Sequence, residues 1–186
     1  VEAVYRPEFE AALRMFAQAS GRMIALGFEA PVLVGGAAVE LYTTSRIATG
    51  DFDVSTARQE VFEQALRDLG FVKPSGPGMA TKGWIHPDLN LGFEVVSSTL
   101  LDGMADRDRV HLIDLGEDGD ARIISVEDMI ADRMGQFASG TAPEMLGQAR
   151  VLWSLHKNAD RAYLARRISE ETFGDYTIED LEGHPI

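Results

Sequence analysis

The sequence contains no cysteine. Disulfides, thiolate metal sites and cysteine nucleophiles are therefore excluded. Positive charge is scarce too: 17 Lys and Arg stand against 30 Asp and Glu, for a net charge of −13. Such a balance disfavours extended binding to nucleic acid, where clustered cations carry the affinity. No apolar run approaches the ~20 residues that span a bilayer, so no membrane partner is expected. The opening stretch VEAVYRPEFEAALRMF lacks a signal-peptide layout and carries early acids, so the expected location is cytoplasmic. The four histidines follow no HExxH or HxxxH spacing, which argues against a zinc site.

What is present suits a folded domain. The chain has 186 residues, 45% of them apolar and 25% charged. Its patterning divides into an α/β part over residues 1–124 and a helical segment over 125–186, expected to pack on that core. In the first part, residues 7–27 read as a helix with Phe9, Leu13, Phe16 and Ile24 on one stripe. APVLVGG reads as a buried strand and tight turn, AAVELYTTS as a short helix, GDFDVST as a strand and RQEVFEQALRDLG as an amphipathic helix. KPSGPGMATKG is loop, LGFEVVS a strand, and RVHLIDL with ARIIS a pair of strands joined by GEDGD. Ser125 is placed as the N-cap of the next helix, and PEMLGQARVLWSLHK and ADRAYLARRISEET as two more. Arg161, Arg166 and Arg167 read as a solvated helix face rather than a basic patch, and the tail FGDYTIEDLEGHPI as marginal.

The stretch GGAAVELYTTSRIATGDFDVS concentrates the chemistry. In a strand, side chains alternate faces, so Asp51 and Asp53 share one face and Phe52 takes the other. Two carboxylates held about 6 Å apart repel by about 3 kcal/mol at an effective dielectric of about 20. A divalent cation offsets that repulsion, and Mg²⁺ favours one or two carboxylates plus substrate phosphates. Solvated acids at a strand end are the competing reading, because Asp-x-Asp alone is common. Gly35 and Gly36 stand between a strand and a helix start, where bare backbone N–H groups can approach an anion. The spacing matches neither a P-loop nor the dinucleotide fingerprint. A tight turn that permits close packing explains the glycines equally well.

Together, LVGGAAVELYTTSRIATGDFDV resembles the nucleotidyltransferase fold of the DNA polymerase beta superfamily. Its hallmark is a Gly-Gly or Gly-Ser turn followed by paired acids, with a third carboxylate on a later strand. Residues 32–54 look most like the small bacterial branch that includes abortive-infection, toxin-like nucleotidyltransferases, where an Arg and a Ser or Thr precede the acids. Arg46 and Thr49 stand in those places. The resemblance implies a mixed sheet flanked by helices and transfer of a nucleotide from an NTP. Asp51, Asp53 and Glu94 would be the catalytic carboxylates and the ligands of two Mg²⁺ ions, with Mn²⁺ as a substitute. Glu94 is preferred to Asp88 because it interrupts an apolar strand, where an unpaired acid is costly. Gly35, Gly36, Arg46, Thr49, Lys82 and Arg133 would contact the nucleotide, Arg133 standing where the branch has Lys.

The chain departs from that branch at Gln148 and Ala149, where a second charged pair is expected. Two functions follow. One is an enzyme acting on a small molecule, a protein or RNA as acceptor. The other is a catalytically silent module that binds a nucleotide or a partner protein, including a toxin–antitoxin partner.

Overall fold

The computed structural model describes residues 4–75, 83–89 and 91–182. Two compact units are present, Val1–Ile124 and Ser125–Ile186. No described helix is long and apolar enough to cross a membrane.

The first unit is built on a mixed six-stranded sheet among the described residues. Its elements run α1 (Pro7–Ala25), β1 (Val32–Val34), α2 (Gly35–Tyr42), β2 (Asp51–Ser55), α3 (Gln59–Asp68), β3 (Trp84–Ile85), β4 (Gly92–Ser97), β5 (His111–Asp114) and β6 (Asp120–Ile123). The strand order is β3-β4-β2-β1-β6-β5. Parallel pairing joins β1 to β6 and β2 to β4, and the remaining neighbours are antiparallel. The antiparallel pair β5–β6 forms the expected hairpin across GEDGD.

Aromatic residues hold α1 to this sheet. Phe52 of β2 and Phe93 of β4 are cross-strand partners, fully buried, with ring centroids 4.9 Å apart. Phe9 of α1 meets Phe52 at 5.3 Å and Phe16 meets Phe93 at 6.4 Å. Phe62 of α3 packs edge-on against Phe16. Such pairs add to the area they bury because ring edges and faces carry opposite partial charge. Ile24, assigned to the buried stripe by its spacing, is instead 52% exposed, and Met23 is the residue buried in that turn. The stripe drifts because 3.6 residues per turn does not keep an eight-residue interval on one line.

The second unit comprises α4 (Val126–Ala138), α5 (Met145–Leu155), α6 (Arg161–Glu171) and a 3-10 turn at Ile178–Glu182. Ser125 caps α4 as expected, its Oγ accepting from the Asp128 N–H at 3.1 Å. Two expectations fail here. The tail is not marginal through Glu182, because Ile178 and Leu181 are buried and Arg150 donates twice to the Asp180 carbonyl. Nor is Arg167 on a solvated face. It is fully buried, and its guanidinium donates to Asp128 at 2.7 Å, Glu170 at 2.7 Å and Glu171 at 2.5 Å. The buried Tyr163 hydroxyl donates to the same Asp128 carboxylate. Composition marked Arg167 as polar, but only tertiary placement supplies three carboxylates to offset its desolvation.

Candidate functional site

The site begins with the register of β2. Asp53 lies beside Val34 of β1 on one side and Glu94 of β4 on the other. Asp51 is two residues from Asp53 and so faces the same way, opposite to the buried Phe52 and Phe93. One face of the sheet therefore carries the phenylalanine core, and the other carries Asp51, Asp53 and Glu94. Asp51 and Glu94 are exposed, and Asp53 is half-buried. Exposure removes the argument that Glu94 would be costly without a metal. What recommends Glu94 is its pairing with Asp53, since neighbouring strands run about 4.8 Å apart. Asp88 sits in the turn after His86, its N–H donating to His86 Nδ1 at 3.2 Å.

Three glycines clear space around these acids. Gly35 has φ +59°, and a Cβ there would lie 2.0 Å from Asp53 Oδ2. The neighbouring Gly36 N–H donates to that same oxygen at 3.4 Å. A Cβ at Gly36 would lie 2.4 Å from Thr49 Oγ1, and one at Gly92 would lie 2.9 Å from Asp51 Oδ1. Gly35 and Gly36 thus let the start of α2 close onto Asp53 and Thr49. Gly92 escaped the sequence reading, although a glycine inside a strand is a known mark of close approach.

The loop between α2 and β2 is held by a buried acid that sequence reasoning also missed. Glu40 is fully buried and accepts from Arg6 Nε at 2.6 Å and Nη2 at 2.9 Å. It also accepts from the Ser45 hydroxyl at 2.9 Å and the Thr49 N–H at 2.6 Å. Arg6 additionally donates to the Thr49 carbonyl. Thr49 Oγ1 in turn donates to the Asp51 carbonyl at 2.8 Å. The chain of contacts therefore runs from Arg6 and Glu40 through Thr49 to the first acid. Glu40 did carry a signal: it is the one charged residue in the apolar helix AAVELY, and a buried charge needs a partner. Thr44 and Ser45 hold left-handed backbone at φ 51° and 58°, a strained turn that these contacts secure.

Burial pushes the Glu40 carboxyl up, but Arg6, the Thr49 N–H and the Ser45 hydroxyl together hold it below its ordinary value of 4.5. A carboxyl with a depressed folded value stabilises the fold above its unfolded value, and that contribution fades as pH falls below about 4.5. Glu40→Gln is expected to cost about 2–3 kcal/mol at pH 7, from the loss of charge-assisted hydrogen bonds. The cost should shrink in urea titrations repeated below pH 4. An unchanged urea midpoint at pH 7 would show that this cluster holds nothing.

The other nucleotide-contact candidates are dispersed. Arg46 is exposed on the loop between α2 and β2, while Lys82 lies outside the described residues. Arg133 belongs to the second unit and is 5% exposed, with Nη1 on Asp132 at 2.9 Å. Its buried Nε has no hydrogen-bond partner among the described residues. Burial raises the Asp132 carboxyl above its ordinary range despite the attraction of Arg133. Among the described residues, no three His, Asp or Glu side chains are gathered closely enough to hold a metal ion.

No protein-family model matches the sequence, and no curated protein matches it. Solved structures do match. The crystal structure of an antigenic nucleotidyltransferase-like protein from Paracoccidioides brasiliensis aligns over 92% of this chain and 90% of its own, at 15% identity and a TM-score of 0.60. The solution structure of the antibiotic-resistance factor ANT(2'')-Ia, described as showing substrate-regulated conformation dynamics, aligns over 86% of this chain and 90% of its own, at 13% identity and a TM-score of 0.52. At such identities the likeness is one of architecture. The six-stranded mixed sheet with its flanking helices is a nucleotidyltransferase-like fold.

Proposed function

We propose that this protein binds an NTP on the Asp51, Asp53 and Glu94 face and transfers its nucleotidyl group to an acceptor. The observation that carries this reading is the register that turns all three carboxylates to one side of β2 and β4, beside the glycine start of α2. The donor set fits Mg²⁺ or Mn²⁺ in type, since both take hard oxygen ligands. Asp51, Asp53 and Glu94 would hold two such ions, which when bound would neutralise phosphate charge and make an attacking hydroxyl easier to deprotonate.

The remaining work falls to the chain itself. The acceptor hydroxyl oxygen attacks the α-phosphorus, the bond to the bridging oxygen breaks, and pyrophosphate leaves. Glu94, exposed beside Asp53, takes the hydroxyl proton. The N–H groups of Gly35 and Gly36 would take the β- and γ-phosphates, with Arg46 and Lys82 as neutralising cations. Thr49, held by Glu40, fixes the entry to β2 and hence the position of Asp51. A small-molecule or protein acceptor suits a net charge of −13 better than RNA does.

A second reading is a silent module that binds a nucleotide or a partner protein, as in a toxin–antitoxin pair. It is favoured by the spread of the three carboxylates, which do not form a gathered metal-holding group. Calorimetric titration with the four Mg-NTPs tests the first reading. At least one should bind saturably below millimolar concentration, and Asp51→Asn should weaken it by at least about tenfold, as loss of a metal ligand does. Absence of binding by the wild type at millimolar ligand overturns the enzyme. Equal binding by Asp51→Asn overturns the ligand assignment.

A further inference from the structure

The strands of the first unit have two ends, and the carboxylate face runs inward from one of them, from Asp51 to Asp53 and Glu94. Asp51 opens β2, while Ser55 closes it beside Val32 of β1. Four residues of strand separate the two ends by about 13 Å. A cavity of about 310 Å³ lies at the Ser55 end, a size at the lower limit of small-molecule sites. Its walls come from the segment after α1, the exit of β2 and the segments after β4, all within the first unit.

Charge at this cavity runs against the rest of the molecule. The chain as a whole has 30 acids to 17 Lys and Arg, but the cavity is lined by two arginines, Arg58 and Arg107, and one acid, Glu29. Arg107 pairs with Glu29 at the rim, where both side chains are mostly exposed. Such an exposed pair contributes little and opens readily to a competing anion. Arg58 carries its guanidinium over the Phe28 ring, 5.5 Å from the centroid.

Hydroxyl groups complete the lining: Ser55, Thr56, Ser98 and Thr99. Thr56 is 8% exposed, and its oxygen accepts the Arg58 N–H at 3.2 Å, so its own proton is available to an acceptor. Phe28, Val32 and Leu100 supply apolar wall. Immediately after Leu100, Leu101 and Asp102 hold left-handed backbone at φ 44° and 55°. Strain of this kind persists where the surroundings impose it, and it is enriched at ligand clamps.

We infer that this cavity is a second ligand site, separate from the carboxylate face, for a small organic phosphate or carboxylate with a compact apolar body. The oxyanion is held by Arg58, Arg107 and the Thr56 hydroxyl. The body rests against Phe28 and Leu100. The site needs no metal and no NTP.

Phenyl phosphate, benzoate and inorganic phosphate are the probes, titrated into the full ¹⁵N-labelled chain without divalent cation. Phenyl phosphate or benzoate is expected to shift the amides of Thr56, Ala57 and Thr99 saturably. Inorganic phosphate should bind at least tenfold more weakly, having no apolar body. Arg58→Gln and Arg107→Gln should each weaken the organic probe about tenfold, the effect of losing one charge-assisted contact. Both arginines are exposed, so neither variant should disturb folding. Asp51→Asn should leave this binding unchanged, which separates the site from the proposed nucleotide face. Shifts centred on Gly35 and Gly36, binding by both arginine variants as tight as by the wild type, or no saturable shift at about ten millimolar would each overturn the inference.

Discussion

Gly35→Ala is expected to destabilise the first unit by about 2–4 kcal/mol and to abolish Mg-NTP binding. Two costs combine. The residue sits at φ +59°, where an L side chain is strained by about 1–2 kcal/mol. The new Cβ would also lie 2.0 Å from Asp53 Oδ2 and 2.8 Å from both Asp53 Cβ and Cγ. Oδ2 could swing aside, but Cβ is fixed by the backbone of β2. The strand pairing of Val34 with Asp53 must therefore shift. That shift would displace the central acid of the proposed site. Gly21→Ala is the matched control: it lies exposed inside α1, with nothing within 4 Å of an added Cβ. It should be neutral or stabilising by up to about 1 kcal/mol, because alanine is the better helix former. Urea denaturation measures the stabilities, and calorimetry measures the binding. A Gly35→Ala protein of wild-type stability would mean that α2 does not start against Asp53 as described.

Arg167→Met is expected to cost the second unit about 3–5 kcal/mol at pH 7, as removal of one partner from a buried ion pair does. Arg167 and Asp128 are both fully buried, and the guanidinium also serves Glu170 and Glu171. Methionine fills much of the space but offsets no charge. The Asp128 carboxylate would keep only the hydroxyls of Tyr163 and Ser125 as donors. The pH dependence follows from the direction of the shifts. Burial already raises the Glu171 carboxyl above its ordinary 4.5, even with Arg167 pulling it down. Without Arg167, the Glu171 carboxyl rises further, and the Glu170 carboxyl, which Arg167 holds below its ordinary value, rises with it. A raised carboxyl favours the fold below its unfolded value and loses that advantage as pH climbs through the window above about 4.5. The deficit of Arg167→Met should therefore be largest near neutrality and should narrow toward pH 4. Trp153 fluorescence in urea, read in a Trp84→Phe background, reports this unit. A deficit that does not change between pH 7 and pH 4 would show that the carboxylates are not what the arginine stabilises.

Much of the architecture was legible because alternation and helical spacing are local signals. GDFDVST and LGFEVVS announced β2 and β4, and Ser125 announced the start of α4. The sharing of one face by Asp51 and Asp53 follows from strand geometry alone. The pairing of Glu94 with Asp53 does not, because register between strands so far apart in sequence depends on which buried faces meet. Here the meeting of Phe52 with Phe93 sets it. The reason first given for Glu94, desolvation in an apolar strand, did not survive its exposure. Glu40 and Arg6 stayed hidden because their partnership joins the start of α1 to the end of α2, 34 residues apart. Arg167 passed for a surface residue because i, i+3 and i, i+4 spacing shows the neighbours on its own helix but not Asp128, 39 residues away.

The sequence by itself determined most of the elements, though not the short strand Trp84–Ile85, together with the shared face of Asp51 and Asp53 and the glycine turn ahead of them. Each rests on interactions within about ten residues, where backbone geometry leaves few choices. Tertiary structure alone decided that Gly35 and Gly92 are spaces for carboxylates and that Glu40 anchors the loop before Asp51. It alone gathered two arginines around a cavity at the far end of an acidic protein's sheet. Those outcomes depend on which distant surfaces close on one another, and burial then assigns each charged group a partner or leaves it facing solvent.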